Sequence, residues 1–112
     1  MNSDADGFGT EHILCYLDTR ARTLWEARVR HGSGLGTSVQ GDLEEAVAGA
    51  FVELRMVQEA PGLWGFYQDG KLFVSFDIHI PTTELNPVFL VQRFDSGPPV
   101  KLTIDEFWMN AP

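Results

Sequence analysis

DLEEAVAGAFVELRMVQE, residues 42 to 59, is the one stretch of this chain with a sustained helical period. Leu43, Ala46, Val47, Ala50, Phe51, Leu54 and Val57 recur at three- and four-residue intervals and form a single apolar stripe. Ala48, Gly49, Val52 and Met56 widen that stripe beyond the arc a helix needs to lie on one sheet. Glu44, Glu45, Glu53, Arg55 and Glu59 are left for water. The pattern predicts a helix gripped by a curved sheet, or covered on its second flank by another subunit. Asp42 is placed to cap it, with Glu44 and Glu45 favoured by the positive end of the helix dipole. It ends before the Pro61-Gly62 turn.

Working outward, the flanks read as strands. In HILCYLD (His12 to Asp18), Ile13, Cys15 and Leu17 alternate with His12, Leu14, Tyr16 and Asp18. In TLWEARVR, Trp25, Ala27 and Val29 oppose Glu26, Arg28 and Arg30, which gives a hairpin with one wet face. On the other side, LWGFYQ (63 to 68) and KLFVSFDIHI (71 to 80) are joined by Asp69-Gly70, the strongest short hairpin signal. VFLVQRF (88 to 94) and VKLTIDEFW (100 to 108) complete the set, with a capped helical turn from Thr103 to Glu106 as the alternative for the end. The expected fold class is therefore α+β: a mostly antiparallel curved sheet of about six strands, order ββαββββ, packed around one central helix. Residues 1 to 10 read as a flexible N-terminal arm and 11 to 112 as a single domain.

The chain has 112 residues and a formal net charge of −8. That balance disfavours nucleic acid, whose phosphates need Lys and Arg, and is compatible with a basic protein partner or with mere solubility. Arg20, Arg22, Arg28 and Arg30 hold half of the eight positive charges. One cysteine, Cys15, excludes an internal disulfide, and no apolar run reaches the roughly 20 residues that cross a bilayer. No leader pattern is visible, so a cytoplasmic protein without membrane contact is expected.

Candidate chemistry is sparse. HGSGLGTSVQG (31 to 41) carries four glycines into the expected helix, where free N–H groups can hold an anion. Asp42, Glu44 and Glu45 would repel one, and a structural crossover loop is the alternative. His12 and Cys15 at HxxC spacing fall on opposite faces of a strand, giving a packed Cys and an exposed His rather than a zinc site. Asp77 and His79 share one strand face, as in a catalytic dyad or an ordinary polar ladder, with Ser75 beside them. No metal or cofactor is expected. The aromatic residues Trp64, Phe66, Phe73 and Phe89 exceed what one helix can cover, and they are assigned to an interface in a homodimer or with a partner protein.

Three families are similar in part. HGSGLGTS resembles the pyrophosphate loop of GNAT acetyltransferases, with His31 in the position of their basic or Gln residue. The span from Ile13 to Glu59 resembles the HicB antitoxins, whose GDxxEEAL-like helix start is matched by GDLEEAV (41 to 47), one residue shorter. That resemblance implies neutralising a basic ribonuclease by surface contact. The overall order of elements resembles the hot-dog thioesterases, typically dimers with a helix-borne acid, for which Glu44 and Glu45 are the nearest candidates.

The leading functional expectation is a small acidic protein-interaction module, immunity- or antitoxin-like, that is not an enzyme. The alternative is a hot-dog-like acyl-thioester hydrolase or acyl/CoA-binding protein, with Glu45, Asp77 and His79 as candidate catalytic groups.

Overall fold

The computed structural model describes residues 9–20, 22–47, 49–83, 85, 103–104 and 106–107. Its elements are all strands: β1 Glu11–Tyr16, β2 Leu24–His31, β3 Ser38–Glu45, β4 Leu54–Ala60, β5 Leu63–Gln68 and β6 Lys71–Phe76. They form two antiparallel meanders, β1-β2-β3 and β4-β5-β6. There is no helix among the described residues, so the α+β class with a central helix is overturned and the described residues are all-β.

The stretch from 42 to 59 is instead the end of β3, a linker and the whole of β4. In β3, Val39, Gly41 and Leu43 stand opposite Val29, Ala27 and the start of β2, a two-residue period that outcompetes the helical one. Gly49, in the middle of the expected helix, has φ +78°, which no right-handed helix accepts. Asp42 caps nothing; it lies in β3 and accepts two bonds from Arg22, at 2.6 and 3.1 Å.

The hairpin signals act as the residues suggest. Asp69 (φ 52°) and Gly70 (φ 83°) make the doubly left-handed turn that suits strand twist and join β5 to β6. Pro61 and Gly62 join β4 to β5, which makes them the tip of a hairpin rather than the stop of a helix. The strand expected to run to Ile80 ends at Phe76. The expected strand 88 to 94, most of the segment 100 to 108, and residues 1 to 8 of the arm lie outside the described residues.

The core lies between the sheets. Ala27, Val29 and Leu43 from the first meander meet Phe66 and Phe76 from the second. The two rings cross edge to face at 5.4 Å between centroids. Strand β3 approaches β6 at Gly41, whose missing side chain leaves the room occupied by Val74 and Phe76. A Cβ there would stand 2.7 Å from Val74 Cγ2. Glycine is what allows this closeness.

Candidate functional site

A cleft of about 640 Å3 opens where β3 leaves its sheet. That volume falls in the roughly 300–1,000 Å3 usual for ligand sites. Four separate pieces of chain meet at it: Leu17 after β1, Thr23 and Trp25 at the start of β2, the span from Glu44 to Val52, and Gln68-Asp69 at the β5–β6 turn.

Local hydrogen bonds hold this mouth in place. Thr23 Oγ1 donates to Glu45 Oε2 at 2.6 Å, and the Ala46 N–H donates to the Thr23 carbonyl at 2.8 Å. The buried Gln68 side chain accepts from the Glu44 N–H at 2.8 Å, taking the place of a strand partner. Asp69 and Glu53 clamp the far end of the linker: the Glu53 N–H donates to Asp69 Oδ1 at 3.1 Å, and the Asp69 N–H donates to the Glu53 carbonyl at 2.9 Å.

Two properties set what this cleft can take. Leu17, Trp25 and Val52 give it an apolar wall, and Val47 and Phe51 stand at its lip 68% and 69% exposed. Among the described residues lining it the charged ones are Glu44, Glu45 and Asp69, with no Lys, Arg or His. A cation carrying an apolar portion is matched to both; a phosphate is not.

A second polar cluster lies on the outer face of the first sheet. Glu26 is buried and accepts from Arg22 Nη2 at 2.6 Å and from the Tyr16 hydroxyl at 3.2 Å. Burial first, and then the neighbouring Glu26 charge, push the Tyr16 hydroxyl up to about 12. The bonds to Asp42 and Glu26 hold Arg22 charged beyond its ordinary range. Arg28 Nε donates to His12 Nε2 at 2.9 Å and its guanidinium lies 5.5 Å from the centre of the Tyr16 ring. His12, expected to be exposed, is 5% exposed, and its Nδ1 lies 3.1 Å from the Gly9 carbonyl oxygen. These groups serve one another as ion pairs and hydrogen-bond partners, which is a structural role.

The residues singled out from sequence fall in different places. Glu45 borders the cleft, on a strand rather than a helix. Asp77 and His79 lie beyond the end of β6, and His79 has φ 58°, so they do not form a row on one strand face. Phe66 is fully buried in the chain's own core, and Trp64 and Phe73 are half-buried against it. Phe89 lies outside the described residues. Cys15 faces the core side of β1, and burial pushes its thiol up to about 12.

The Gly-rich stretch is the tip of the β2–β3 hairpin rather than an entry to a helix, so the anion site argued from a helix start has no foundation here. Glu11 from β1 ties that loop down by accepting from the Gly32 N–H at 2.7 Å and pairing with His31 at 2.8 Å. The His31 bond holds the Glu11 carboxyl below its usual range. Leu17, Trp25 and Phe51 are not readable as site residues, because they lie far apart in the chain and only the fold brings them to one cleft. Among the described residues no group of three or more His, Cys, Asp or Glu could hold a metal ion, and no helix is long and apolar enough to cross a membrane. No protein-family model, no curated protein and no solved structure matches this chain.

Proposed function

We propose that the chain is a small acidic protein-binding module, an immunity- or antitoxin-like inhibitor or another interaction domain, whose cleft seats a basic segment of a partner protein. The observation that carries this reading is the composition of the cleft: three carboxylates, no cation among the lining residues, and an apolar wall with Phe51 at its lip. Lysine and arginine match such a site twice over, since their aliphatic stems lie on apolar surface while their heads meet carboxylates. The acyl-CoA alternative is disfavoured by the same charges, which would face the cofactor's phosphates. It also loses the helix on which its acid was to be carried.

Titration calorimetry with synthetic peptides alternating Lys or Arg with Leu or Phe tests the proposal, with Glu-substituted peptides and a long-chain acyl-CoA as controls. The basic peptides should bind, more weakly as salt rises. Phe51→Ala should weaken binding roughly 5- to 30-fold, as loss of an anchor does. Glu44→Gln and Glu45→Gln should each weaken it roughly 2- to 5-fold, as exposed charges do. Equal binding of the acidic peptides, or unchanged binding in all three folded variants, would refute the proposal; acyl-CoA binding alone would favour the thioester reading.

A further inference from the structure

Strand β4 is an edge: among the described residues it pairs with β5 on one side only. A bare edge presents alternate N–H and C=O groups to any strand that can match it. On β4 these groups sit beside side chains that are mostly exposed, including Met56 at 44%. The question is which strand fits, and the residues of β4 answer it.

In an antiparallel pair, opposite residues share a face, so a second β4 can add to the first only in registers that keep outer residues opposite outer residues. Arg55 and Glu59 lie on the outer face, both turned to Tyr67: the guanidinium is 5.0 Å from the ring centre and the carboxylate accepts from the hydroxyl. A two-fold axis at Arg55 would set Arg55 against itself. An axis at Met56 would set Glu53 against Glu59. An axis at Gln58 would set Glu59 against Val57 and leave Arg55 opposite Pro61, which ends the strand. Only an axis at Val57, the midpoint of Leu54–Ala60, sets Arg55 of each copy opposite Glu59 of the other. It also pairs Val57 with Val57 and Met56 with Gln58 on the regular part of the strand, while Glu59, the residue within the bulge, keeps its side chain on the outer face beside Tyr67. The bulge of β4 falls between Gln58 and Ala60 and leaves Leu54 to Gln58 regular.

We infer that β4 is a self-association edge, and that two copies of this chain join their second sheets antiparallel through it, with the two-fold axis at Val57, into one six-stranded sheet. This is independent of the cleft. It gives the homodimer expected from surplus aromatic surface a different seat, since Phe66 is spent in the core.

Cysteine variants built on Cys15→Ala, each with a single cysteine, read the register directly. Val57→Cys meets its own copy across the axis, within the Cα spacing a disulfide requires of roughly 4.4–6.8 Å. Under mild oxidation with oxidised glutathione it should form a covalent dimer. Met56→Cys and Gln58→Cys should form little alone and a mixed dimer when combined, and the Cys15→Ala chain without an added cysteine should form none. In sedimentation velocity, Arg55→Glu and Glu59→Arg should each weaken self-association at least tenfold, with circular dichroism confirming the fold. The exchange variant carrying both should recover it. A chain that stays monomeric at roughly 0.5 mM, the weakest association worth the name, would overturn the inference. So would cross-linking that is equal at 56, 57 and 58, or a charge exchange that fails to restore the dimer.

Discussion

Replacing Gly41 by Ala tests the packing of the two sheets at its tightest point. The new Cβ would stand 2.7 Å from Val74 Cγ2 and 3.3 Å from both Val74 Cβ and Phe76 Cζ. Val74 is β-branched and stiff, so it cannot swing its methyl aside within its rotamer. Overpacking of this kind costs about 1–3 kcal/mol. Ala also restricts the unfolded chain, which returns about 0.4–1 kcal/mol. The clash wins, and Gly41→Ala should lose about 1–2 kcal/mol, lowering the melting temperature by roughly 4–15 °C for a domain of this size. Val74→Ala removes the offending methyl. In the double variant the 2.7 Å contact is gone and only the two at 3.3 Å remain, so the two changes should be less destabilising together than the sum of the singles by about 1 kcal/mol. Urea melts of the parent, both singles and the double supply the cycle. A Gly41→Ala chain as stable as the parent, or strictly additive losses, would refute this account of how β3 lies on β6.

Two further outcomes follow from buried groups. Arg22→Met leaves the buried Glu26 carboxylate with Tyr16 as its remaining described partner and should cost about 1–3 kcal/mol in a urea melt, whereas adding Glu26→Gln should recover part of that loss. At high pH, Cys15 and Tyr16 ionise in the unfolded chain from about 8.5 and about 10, but in the folded chain only near 12. The unfolded state then releases protons that the folded state keeps, so these two groups should leave stability flat between about pH 6 and 8 and make it fall between about pH 9 and 12. Cys15→Ala should make that fall shallower by about 1 kcal/mol per pH unit, as melts across the range would read.

What the sequence discloses here is its short-range grammar. Asp69-Gly70 and the alternation in 12 to 18, 23 to 30, 63 to 68 and 71 to 76 each carry their own geometry, because a turn and a pleat are decided within a few residues. The helix failed because periodicity near 3.6 was supplied by residues on two sides of a linker: Leu43 belongs to β3, Leu54 and Val57 belong to β4, and Ala46 to Phe51 lie between. Helix propensity is a weak prior against partners it cannot see, and here β2 and β5 were those partners. Two signals pointed the other way, Gly49 inside the run and the alternation of Val39, Gly41 and Leu43 before it. The cleft was legible only at Glu44 and Glu45. Its apolar wall draws on residues as far apart as Leu17 and Val52, which no local pattern links.

The cleft and the β4 edge also constrain each other, because the lip residue Phe51 lies six positions before Val57. At no more than about 3.3 Å per residue, each lip stands at most roughly 20 Å from the proposed two-fold axis, so the proposed dimer would carry its two clefts no more than about 40 Å apart. A partner offering two basic segments can then be held at both. The gain depends on span: a Gly/Ser linker of roughly 50 residues has a root-mean-square length near 40 Å, whereas one of roughly 2 residues, at most about 7 Å long, cannot reach. A tandem peptide with the long linker should bind the parent chain at least roughly 10-fold more tightly than a single segment, through effective concentration alone. The short linker should give no gain, and neither should the monomeric Arg55→Glu variant with either peptide. If the long linker helps Arg55→Glu as much as it helps the parent chain, the two clefts are not joined through β4, whatever either one binds by itself.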